Sequence, residues 1–264
     1  MERLVITSTA NEKFKLLKKL KDKKGRREHG LCIIEGEKVI FENLERVVDI
    51  FIVEGKEITP NIADMQPIVL SKKLFEEITD HVTPQGIFAT VDFTKDLHGN
   101  ASALYVNKFN AVPWLSDSPF LVLDRIQDCG NMGTLLRTAR AFGFYNVFTI
   151  DCADAFSQKA LRAGMANQFG LRIFSLGLET FLDLVKHKDF PEVEFYVADM
   201  NGENLLESDF VSFGLVLGNE GQGVAKELFG LRNAKVVTVP MEKGVESLNV
   251  GVAGGILMHG LRRK

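Results

Sequence analysis

Residues 119–143 read PFLVLDRIQDCGNMGTLLRTARAFG, a pattern typical of a strand, a loop and a helix. An apolar strand ends in a polar loop that places Asn131 between two glycines, and a helix carrying Arg137 follows. Two later stretches repeat the design, LGNEGQG at 217–223 and VPMEKGVESLNVGVAGG at 239–255. Loops that follow the carboxyl ends of strands are where open α/β sheets bind ligands. The sequence therefore predicts three loops that converge on one binding site.

The chain as a whole reads as two α/β units. From Pro119 onward strands alternate with helices, which predicts a mostly parallel sheet covered on both faces. These strands are FLVLD, YNVFTI, LRIFSL, EFYVAD, FGLVLG and KVVTVP. Nearer the N-terminus, a helix at 11–24 precedes the short strands LCIIEG, DIFIVEG and PIVLS, interleaved with helical KVIFENLER and SKKLFEEI. We therefore predict a small α/β domain at 1–95, a linker at 96–118 and a larger domain at 119–264.

Composition narrows the class of protein. The net charge of −3 means that any attraction to nucleic acid must be local, and the twenty phenylalanines fit core packing better than a base-stacking surface. Three cysteines without C-x-x-C spacing indicate a reducing compartment. Neither a signal peptide nor an apolar stretch of about 18 residues is evident, so we expect a cytoplasmic protein with no membrane span. The five histidines lack ligand spacing, and no metal is predicted.

The three loops resemble the motifs of a known family. N-x-G-T-x-x-R-T-A, then L-G-N-E-G-x-G, then P-M-x-x-x-x-E-S-L-N-V-x-V-A is the order found in the SpoU (TrmH) family of RNA ribose 2'-O-methyltransferases, within the SPOUT superfamily. ITSTANEKFKLLKKL, IIEGEKV and TPQGIFA resemble the substrate-binding domain that often precedes this catalytic domain. The resemblance implies S-adenosylmethionine as the cofactor, ribosomal or transfer RNA as the substrate, a homodimer, and a C-terminal segment threaded as a trefoil knot.

The loops suit a methyl donor better than a dinucleotide. The nicotinamide fingerprint G-x-G-x-x-G is absent after the first strand of the larger domain. An adenosine needs backbone donors and acceptors, an apolar slot for its ring and room for a sulfonium. We predict that the cofactor binds to Ala198, Asp199, Met200, Leu217, Gly218, Asn219, Gly221, Gly223, Val239, Pro240, Met241, Ser247, Leu248 and Asn249.

The resemblance also implies five catalytic residues. They are Asn131, Arg137, Glu220, Ser247 and Asn249. The protein must position the ribose hydroxyl, remove its proton and stabilise the oxygen as charge develops. Because a guanidinium stays protonated in proteins, Arg137 fits a fixed cation that holds the substrate phosphate and the nascent alkoxide. The proton would then pass to phosphate or water. Six residues separate Asn131 from Arg137, so we expect both to face one side of the helix.

Basic residues are the candidates for RNA contact. They are Lys18, Lys19, Lys23, Lys24, Arg26, Arg27, Arg140 and Arg162. Between Lys13 and Arg27 lie nine basic residues and one acid, which fits either a solvated helix face or a surface for RNA phosphates. Arg140 leaves the same two alternatives open, whereas the C-terminal Arg262, Arg263 and Lys264 fit either a frayed basic tail or contact with phosphate across a dimer interface. Arg162 lies in a segment similar to the family's K-A-x-R-A-S, in which Gly164 replaces the serine.

Other features depart from simple expectation. Cys129 stands where the family commonly has proline, with no histidine nearby in sequence to activate a thiol, so we interpret it as inert loop packing. Gly251 replaces a common serine. Glycines 251, 254, 255 and 260 each disfavour a helix by about 1 kcal/mol relative to alanine, which predicts close backbone approach.

Two alternative functions remain open from the sequence. One is a non-catalytic RNA-binding or ribosome-assembly protein that retains the fold. The other is a nucleotide-dependent oxidoreductase, which would have to bind NAD without a fingerprint for it.

Overall fold

A computed structural model describes residues 3–80, 84–95, 115, 118–188, 190–204 and 212–261. The chain divides into two compact units. The first comprises Met1–Ala101 and Phe156–Ala166, and the second comprises Ser102–Ala155 and Asn167–Lys264. The predicted linker at 96–118 lies outside the described residues except for Leu115 and Ser118, as do the last three basic residues. Among the described residues no helix is long and apolar enough to span a bilayer.

The first unit is built on a five-stranded mixed sheet in the order β1-β4-β3-β5-β2. Its strands are β1 (Val5–Ile6), β2 (Leu31–Glu35), β3 (Val47–Val53), β4 (Ile68–Leu70) and β5 (Ile87–Asp92). Its helices are α1 (Glu12–Leu20), α2 (Lys23–His29), α3 (Glu37–Phe41), α4 (Pro60–Asp64), α5 (Lys72–Ile78) and α7 (Gln158–Ala163). The predicted strands of this unit are confirmed, whereas β1, α4 and β5 were not predicted. Nearly every residue of β5 is buried, so it lacks the alternation by which strands are recognised.

The predicted helix at 11–24 is confirmed with its buried face, but its extent is wrong, because the structure has two helices there. α1 buries Phe14, Leu17 and Leu20 and ends before α2 begins at Lys23. α2 crosses α1 so closely that a Cβ on Gly25 would lie 2.0 Å from the carbonyl oxygen of Lys19. Only glycine permits this contact, so the turn and the second helix depend on it.

The second unit contains a six-stranded sheet in the order β11-β9-β10-β6-β7-β8, in which every neighbouring pair is parallel. Its strands are β6 (Phe120–Asp124), β7 (Asn146–Ile150), β8 (Arg172–Leu176), β9 (Glu194–Glu203), β10 (Phe213–Leu217) and β11 (Ala234–Val237). Its helices are α6 (Cys129–Ala141), α8 (Leu178–Lys186) and α9 (Val250–Leu261). All six predicted strands are confirmed.

The strand order places a crevice between β6 and β10. The chain leaves β6 towards β7 on one side, and it leaves β10 towards β11 on the other side. Neighbouring parallel strands whose connections diverge in this way open a crevice at their carboxyl ends, which is the usual ligand site of open α/β sheets. The loops after Asp124 and Leu217 border this crevice.

Phenylalanines fill the core of this sheet, as predicted. Phe120 is fully buried and contacts Phe148 and Phe195 edge-on, with ring centroids 5.7 Å and 5.8 Å apart. Edge-to-face geometry is favoured between aromatic rings, so these contacts stabilise the sheet and its helices beyond the area they bury.

Close contacts at two glycines explain why α9 contains residues that disfavour a helix. A Cβ on Gly254 would lie 2.5 Å from Leu135 Cδ2 on α6 and 2.7 Å from Leu217 Cδ1 on β10. At Gly251 it would lie 3.2 Å from Thr134 Cγ2. The predicted close approach is confirmed at these two positions, and it brings the start of α9 against α6. The trefoil knot implied by the resemblance stays a prediction.

Candidate active site

A cavity of about 460 Å³ lies in the second unit, beside the carboxyl ends of β9 and β10. Every residue predicted to bind the cofactor lines it except Pro240. The lining residues that sequence reasoning missed are Val237, Thr238, Glu246, Val250, Ala253 and Leu257. The last three recur at helical spacing on α9, so the periodicity of that helix could have identified them. Glu220, predicted as catalytic, also lines the cavity.

The end of β9 forms one wall. β11 pairs with β9 up to residue 197 and resumes at residue 203, so residues 198–202 bulge out of the ladder. Asp199 Oδ1 holds this bulge by accepting hydrogen bonds from the backbone and side-chain nitrogens of Asn201, at 2.9 Å and 3.1 Å. A Cβ on Gly202 would lie 2.5 Å from the carbonyl carbon of Val237, so glycine lets β11 pass closely.

The loop after β10 forms a second wall. Gly218 begins it, where a Cβ would lie only 2.3 Å from the backbone of the returning chain. Asn219 closes the loop by exchanging backbone hydrogen bonds with Gly223 at 3.1 Å and 3.0 Å. Its side-chain Oδ1 accepts from the N–H groups of Gly221 and Gln222 at 3.0 Å and 2.9 Å. The asparagine therefore fixes a tight turn that borders the cavity.

Side chains from all three predicted loops are joined by hydrogen bonds. Asn249 Nδ2 donates to Asn131 Oδ1 at 2.9 Å, and Asn131 Nδ2 donates to Glu220 Oε1 at 3.1 Å. The backbone N–H groups of Asp128 and Gln127 also donate to the Glu220 carboxylate, at 3.3 Å and 3.4 Å. The prediction that the loops converge is confirmed, although they are far apart in sequence. We call Glu220, Asn131 and Asn249 the amide chain.

The carboxylate of Glu220 is ionised at neutral pH. Partial burial acts to raise the pKa of Glu220, but hydrogen bonds from Asn131 and from backbone N–H groups outweigh it and lower the pKa below its ordinary value. An acid with a lowered pKa and occupied lone pairs is a weak proton acceptor. Glu220 is thus suited to positioning Asn131 rather than to removing a proton.

Two helices begin at this network. Asp128 caps α6, its side chain accepting from the N–H of Asn131 at 2.9 Å. Asn249 precedes α9, and its Oδ1 accepts from the N–H of Gly251 at 2.9 Å. Such caps satisfy N–H groups that have no partner within a helix. Asn131 and Asn249 are therefore oriented by the helix starts as well as by each other.

An acid and an arginine that sequence reasoning missed hold the loop after β10 in place. Asp124 is fully buried at the end of β6, and Arg125 Nε and Nη2 both donate to its carboxylate at 2.9 Å. Arg125 Nη1 also donates to Gln222 Oε1 at 2.9 Å, and Asp124 Oδ2 accepts from the N–H of Ala225 at 2.8 Å. The hydrogen bond to Asp124 raises the pKa of Arg125, although burial opposes it. The sequence signal that could have identified them is a pair of charged residues directly after the apolar run at 120–123.

The two arginines of α6 differ in their surroundings. Arg137 is exposed, does not line the cavity, and makes no hydrogen bond or ion pair within the part of the chain that the structure describes. Six residues turn an α-helix by about 600°, so Arg137 lies about 120° around the axis from Asn131. The expectation that both share one face is therefore wrong. Arg140 Nη1 donates to Asn167 Oδ1 at 3.2 Å, and its side chain covers Gly170.

The remaining site candidates are placed as follows. Ser247 is exposed at the cavity. Cys129 is half-buried in the first turn of α6. Burial raises the pKa of the Cys152 thiol to about 12, so this thiol stays protonated at neutral pH. None of the three cysteines forms a disulfide, and the described residues contain no cluster of side chains that could hold a metal ion.

The basic residues of α1 and α2 that are predicted to contact RNA are exposed, with one exception. Lys18 pairs with Glu77 at 3.3 Å and Lys24 with Glu28 at 3.7 Å, contacts that are weak in water. Arg26 is only 5% exposed, because its guanidinium donates to the carbonyl oxygens of residues 20 and 21 at 2.7 Å each. The prediction of RNA contact by Arg26 is therefore wrong, since its donors cap the end of α1. Lys19, Lys23 and Arg27 are exposed.

Comparison with known proteins then identifies the family. The model of the SpoU rRNA Methylase family matches residues 118–259, more than half of the chain. This protein belongs to the SpoU rRNA methylase family. A model of the MRM3-like substrate binding domain matches residues 11–89. The suspected SpoU family is confirmed, as are the predicted fold class, enzyme class and S-adenosylmethionine cofactor.

Individual relatives of this SpoU family member cover nearly the whole chain. The 23S rRNA (guanosine(2553)-2'-O)-methyltransferase RlmP of Bacillus subtilis is 32% identical over 97% of this chain and 98% of its own length. The human mitochondrial rRNA methyltransferase 3 is 26% identical over 93% of this chain and 70% of its own length.

Solved structures share the fold. A putative RNA methyltransferase of the TrmH family from Porphyromonas gingivalis has a TM-score of 0.72 at 27% identity, covering 97% of this chain and 99% of that one. An AdoMet-bound rRNA methyltransferase from Sinorhizobium meliloti has a TM-score of 0.74 at 23% identity, covering 96% and 95%.

Proposed function

We propose that this protein methylates a ribose 2'-hydroxyl of ribosomal RNA, with the amide chain holding the site and Arg137 stabilising the reacting oxygen. The observation that carries the proposal is the hydrogen-bonded path from Asn249 through Asn131 to Glu220 at the cavity. One relative, which matches this chain along almost its whole length, is named a 23S rRNA methyltransferase, and this supports ribosomal RNA as the substrate.

The cavity fits S-adenosylmethionine. Its volume of about 460 Å³ lies within the usual range for small-molecule sites, about 300–1,000 Å³. The glycine-rich turn at 218–223 lines the cavity without bulky side chains, and the carboxylates of Asp199 and Glu246 suit hydroxyl, amino or sulfonium groups. Leu217 and Leu257 supply apolar contacts. The residues that hold the cofactor in this proposal are those predicted from the sequence, without Pro240 and with the additional lining residues.

The role of each site residue in this proposal follows from its surroundings. When bound, S-adenosylmethionine supplies an electrophilic methyl group. Asn131 and Asn249 orient the loops, and Ser247, exposed at the cavity, is placed to hydrogen-bond the incoming ribose. Arg137 remains a cation without a partner in the described part of the chain, so a substrate phosphate and the developing alkoxide can bind it. The proton passes to an RNA phosphate or to water.

The experiment measures cofactor binding and methyl transfer separately. Calorimetry with S-adenosylmethionine is followed by transfer of labelled methyl groups to ribosomal RNA extracted from cells lacking the protein. We expect Arg137→Ala to retain cofactor binding and to lose transfer by about 100-fold or more, the scale of one electrostatic group at the reacting oxygen. Arg232→Ala, which removes an exposed ion pair with Glu192 elsewhere in the unit, is the matched control and should retain transfer.

The rival function predicts a different result. A non-catalytic RNA-binding or ribosome-assembly protein would bind RNA and would transfer no methyl group, even in the wild type. Mapping 2'-O-methyl positions in RNA from cells with and without the protein distinguishes the two functions. It also separates ribosomal from transfer RNA.

We also infer a homodimer in the cytoplasm. Val252 and Ile256 lie four residues apart on α9 and are 52% and 40% exposed, which leaves an apolar strip on the helix that the resemblance implies to be the dimer contact. Three cysteines without a disulfide between them support a reducing compartment. Light scattering of the wild type and of Ile256→Glu tests the dimer, and a monomeric wild type contradicts it.

A further inference from the structure

A second cavity, of about 220 Å³, lies within the first unit and has no role in the proposed chemistry. It lies between β2, the start of α3 and α7. Its apolar walls include Ile34, Val39, Leu161 and Met165. The volume is below the range of about 300–1,000 Å³ typical of drug-sized ligands, so the cavity suits a smaller group.

Gln158 lines this cavity and carries a buried hydrogen-bond acceptor. Its Nε2 donates to the carbonyl oxygen of Ile78 at 3.2 Å, which fixes the orientation of the amide. Its Oε1 is buried and has no hydrogen-bond partner among the described residues. A buried acceptor without a partner disfavours the folded state by about 1–3 kcal/mol. A ligand that donates an N–H group would supply the missing hydrogen bond.

The charges around the cavity define the ligand further. The carboxylate of Glu35 lines it, which disfavours a phosphate inside and favours a neutral group with N–H donors. Lys38 is exposed and Arg162 is half-buried, so both can bind phosphates at the mouth. Gly36 has φ +100°, and a Cβ there would lie 3.1 Å from Gln85 Oε1. The backbone conformation at the opening of the cavity therefore requires glycine at position 36.

The cavity therefore suits a small, neutral ligand with N–H donors and with phosphates beside it. An unpaired nucleobase within RNA has these properties. Proteins read such bases by enclosing them between apolar or planar side chains and bonding their Watson–Crick edge. Two acceptors, the amide of Gln158 and the carboxylate of Glu35, match the adjacent N1–H and N2–H donors of guanine. We propose that this cavity binds one unpaired guanine of the RNA substrate and so selects the RNA. The inference rests on the proposed function, because it assumes an RNA substrate.

The test compares short RNAs that differ in one base. Fluorescence anisotropy measures binding of the full-length protein to labelled heptanucleotides UUUXUUU, with X as guanosine, inosine, uridine or an abasic site. We expect guanosine to bind about tenfold or more tightly than the abasic site, the scale of one enclosed base. Inosine, which lacks the exocyclic amino group, should bind several-fold more weakly than guanosine.

Variants identify the cavity as the source of the preference. Gln158→Leu keeps the size of the side chain and removes the acceptor, so the preference for guanosine should fall to less than about threefold. Lys159→Gln changes a neighbouring exposed residue that does not line the cavity and should keep the preference. Equal affinity of the wild type for guanosine, inosine and the abasic site overturns the proposal and identifies a water-filled cavity.

Failure of this proposal is distinguishable from failure of the proposed function. Cofactor binding and methyl transfer are measured without the heptanucleotides. A guanosine preference without methyl transfer would leave the base site intact and remove the enzymatic role. Methyl transfer without the preference would remove only the base site.

Discussion

Replacing Glu220 by glutamine tests whether this residue positions the loops or accepts the proton. The carboxylate accepts from four nitrogens, those of the backbone at residues 127 and 128 and those of the Asn131 and Asn219 side chains, at 3.1 Å to 3.5 Å. Glutamine keeps one acceptor oxygen and turns an NH₂ group towards the other donors. Hydrogen bonds to a charged group contribute about 1.5–3 kcal/mol each when well formed.

The expected magnitude is smaller than the sum of these contacts. Glu220 is solvent-exposed and its hydrogen bonds are long, so screening weakens each of them. We expect Glu220→Gln to destabilise the ordered conformation of the loops by about 1–2 kcal/mol. Because cofactor binding requires that conformation, the free energy of binding becomes less favourable by the same amount. The dissociation constant for S-adenosylmethionine should therefore rise about 5- to 30-fold. Calorimetry measures it, and Glu242→Gln, which removes the same charge from an exposed position in another loop, should leave it unchanged.

The pH dependence separates the two roles. Because the pKa of Glu220 is lowered in the folded protein, its contribution is fully present above the unfolded value of 4.5. It is lost only as the pH falls below 4.5 through the lowered folded pKa. The ratio of variant to wild-type affinity should accordingly stay constant between pH 6 and 8. A ratio that changes in this range would show Glu220 titrating near neutrality, as a general base does, and would refute the positioning role.

Three further predictions concern the site, the RNA surface and the last helix. Asn249→Ala removes the bond to Asn131 and the cap of α9, so we expect about tenfold weaker S-adenosylmethionine binding by calorimetry; unchanged affinity would remove Asn249 from the site. Replacing four basic residues with glutamine should lower RNA affinity and flatten its dependence on salt, and an unaltered slope would indicate a merely solvated face. The four are Lys18, Lys19, Lys23 and Lys24. Gly254→Val should lower the free energy of unfolding by about 2 kcal/mol or more, since a Cβ there would lie 2.5 Å from Leu135 Cδ2. Gly255→Ala, whose Cβ would meet its nearest atom at 3.7 Å, should raise it by up to about 1 kcal/mol; equal effects in denaturant melts would contradict the packing argument.

The sequence predicted the sheet of the second unit because its strands are short apolar runs between polar loops. The same reasoning predicted that the loops after Asp124 and Leu217 approach each other, since neighbouring parallel strands end at one edge. The contacts between those loops could not be predicted in this way. Arg125 contacts Gln222, 97 residues away, through a side chain whose direction is set by a backbone φ of +53°. Nothing in the local pattern specifies that conformation.

Errors arose where burial or rotation depended on tertiary contacts. Arg26 belongs to a strongly basic stretch, but Gly25 lets α2 approach α1. This approach brings the guanidinium of Arg26 against the carbonyl groups at the end of α1. Arg137 was expected on the face of Asn131 because six residues is close to two turns; the remaining rotation of about 120° matters at the scale of one side chain. Phe156–Ala166 lies in the second half of the sequence and packs in the first unit, where hydrophobic periodicity identifies a helix but not its partner.

The direction of the hydrogen bonds explains why the amide chain contains two asparagines and one acid. Each link has a donor and an acceptor: Asn249 donates to Asn131, and Asn131 donates to Glu220. The middle residue must accept through one atom and donate through the other, and among short side chains an amide does this in a fixed plane. An aspartate at 131 would place a second negative charge beside Glu220 and could not donate while ionised. The chain ends on a carboxylate, which needs no donor of its own and is further bound by backbone N–H groups. This arrangement uses the two side-chain amides and the carboxylate to fix the loops rather than to remove a proton.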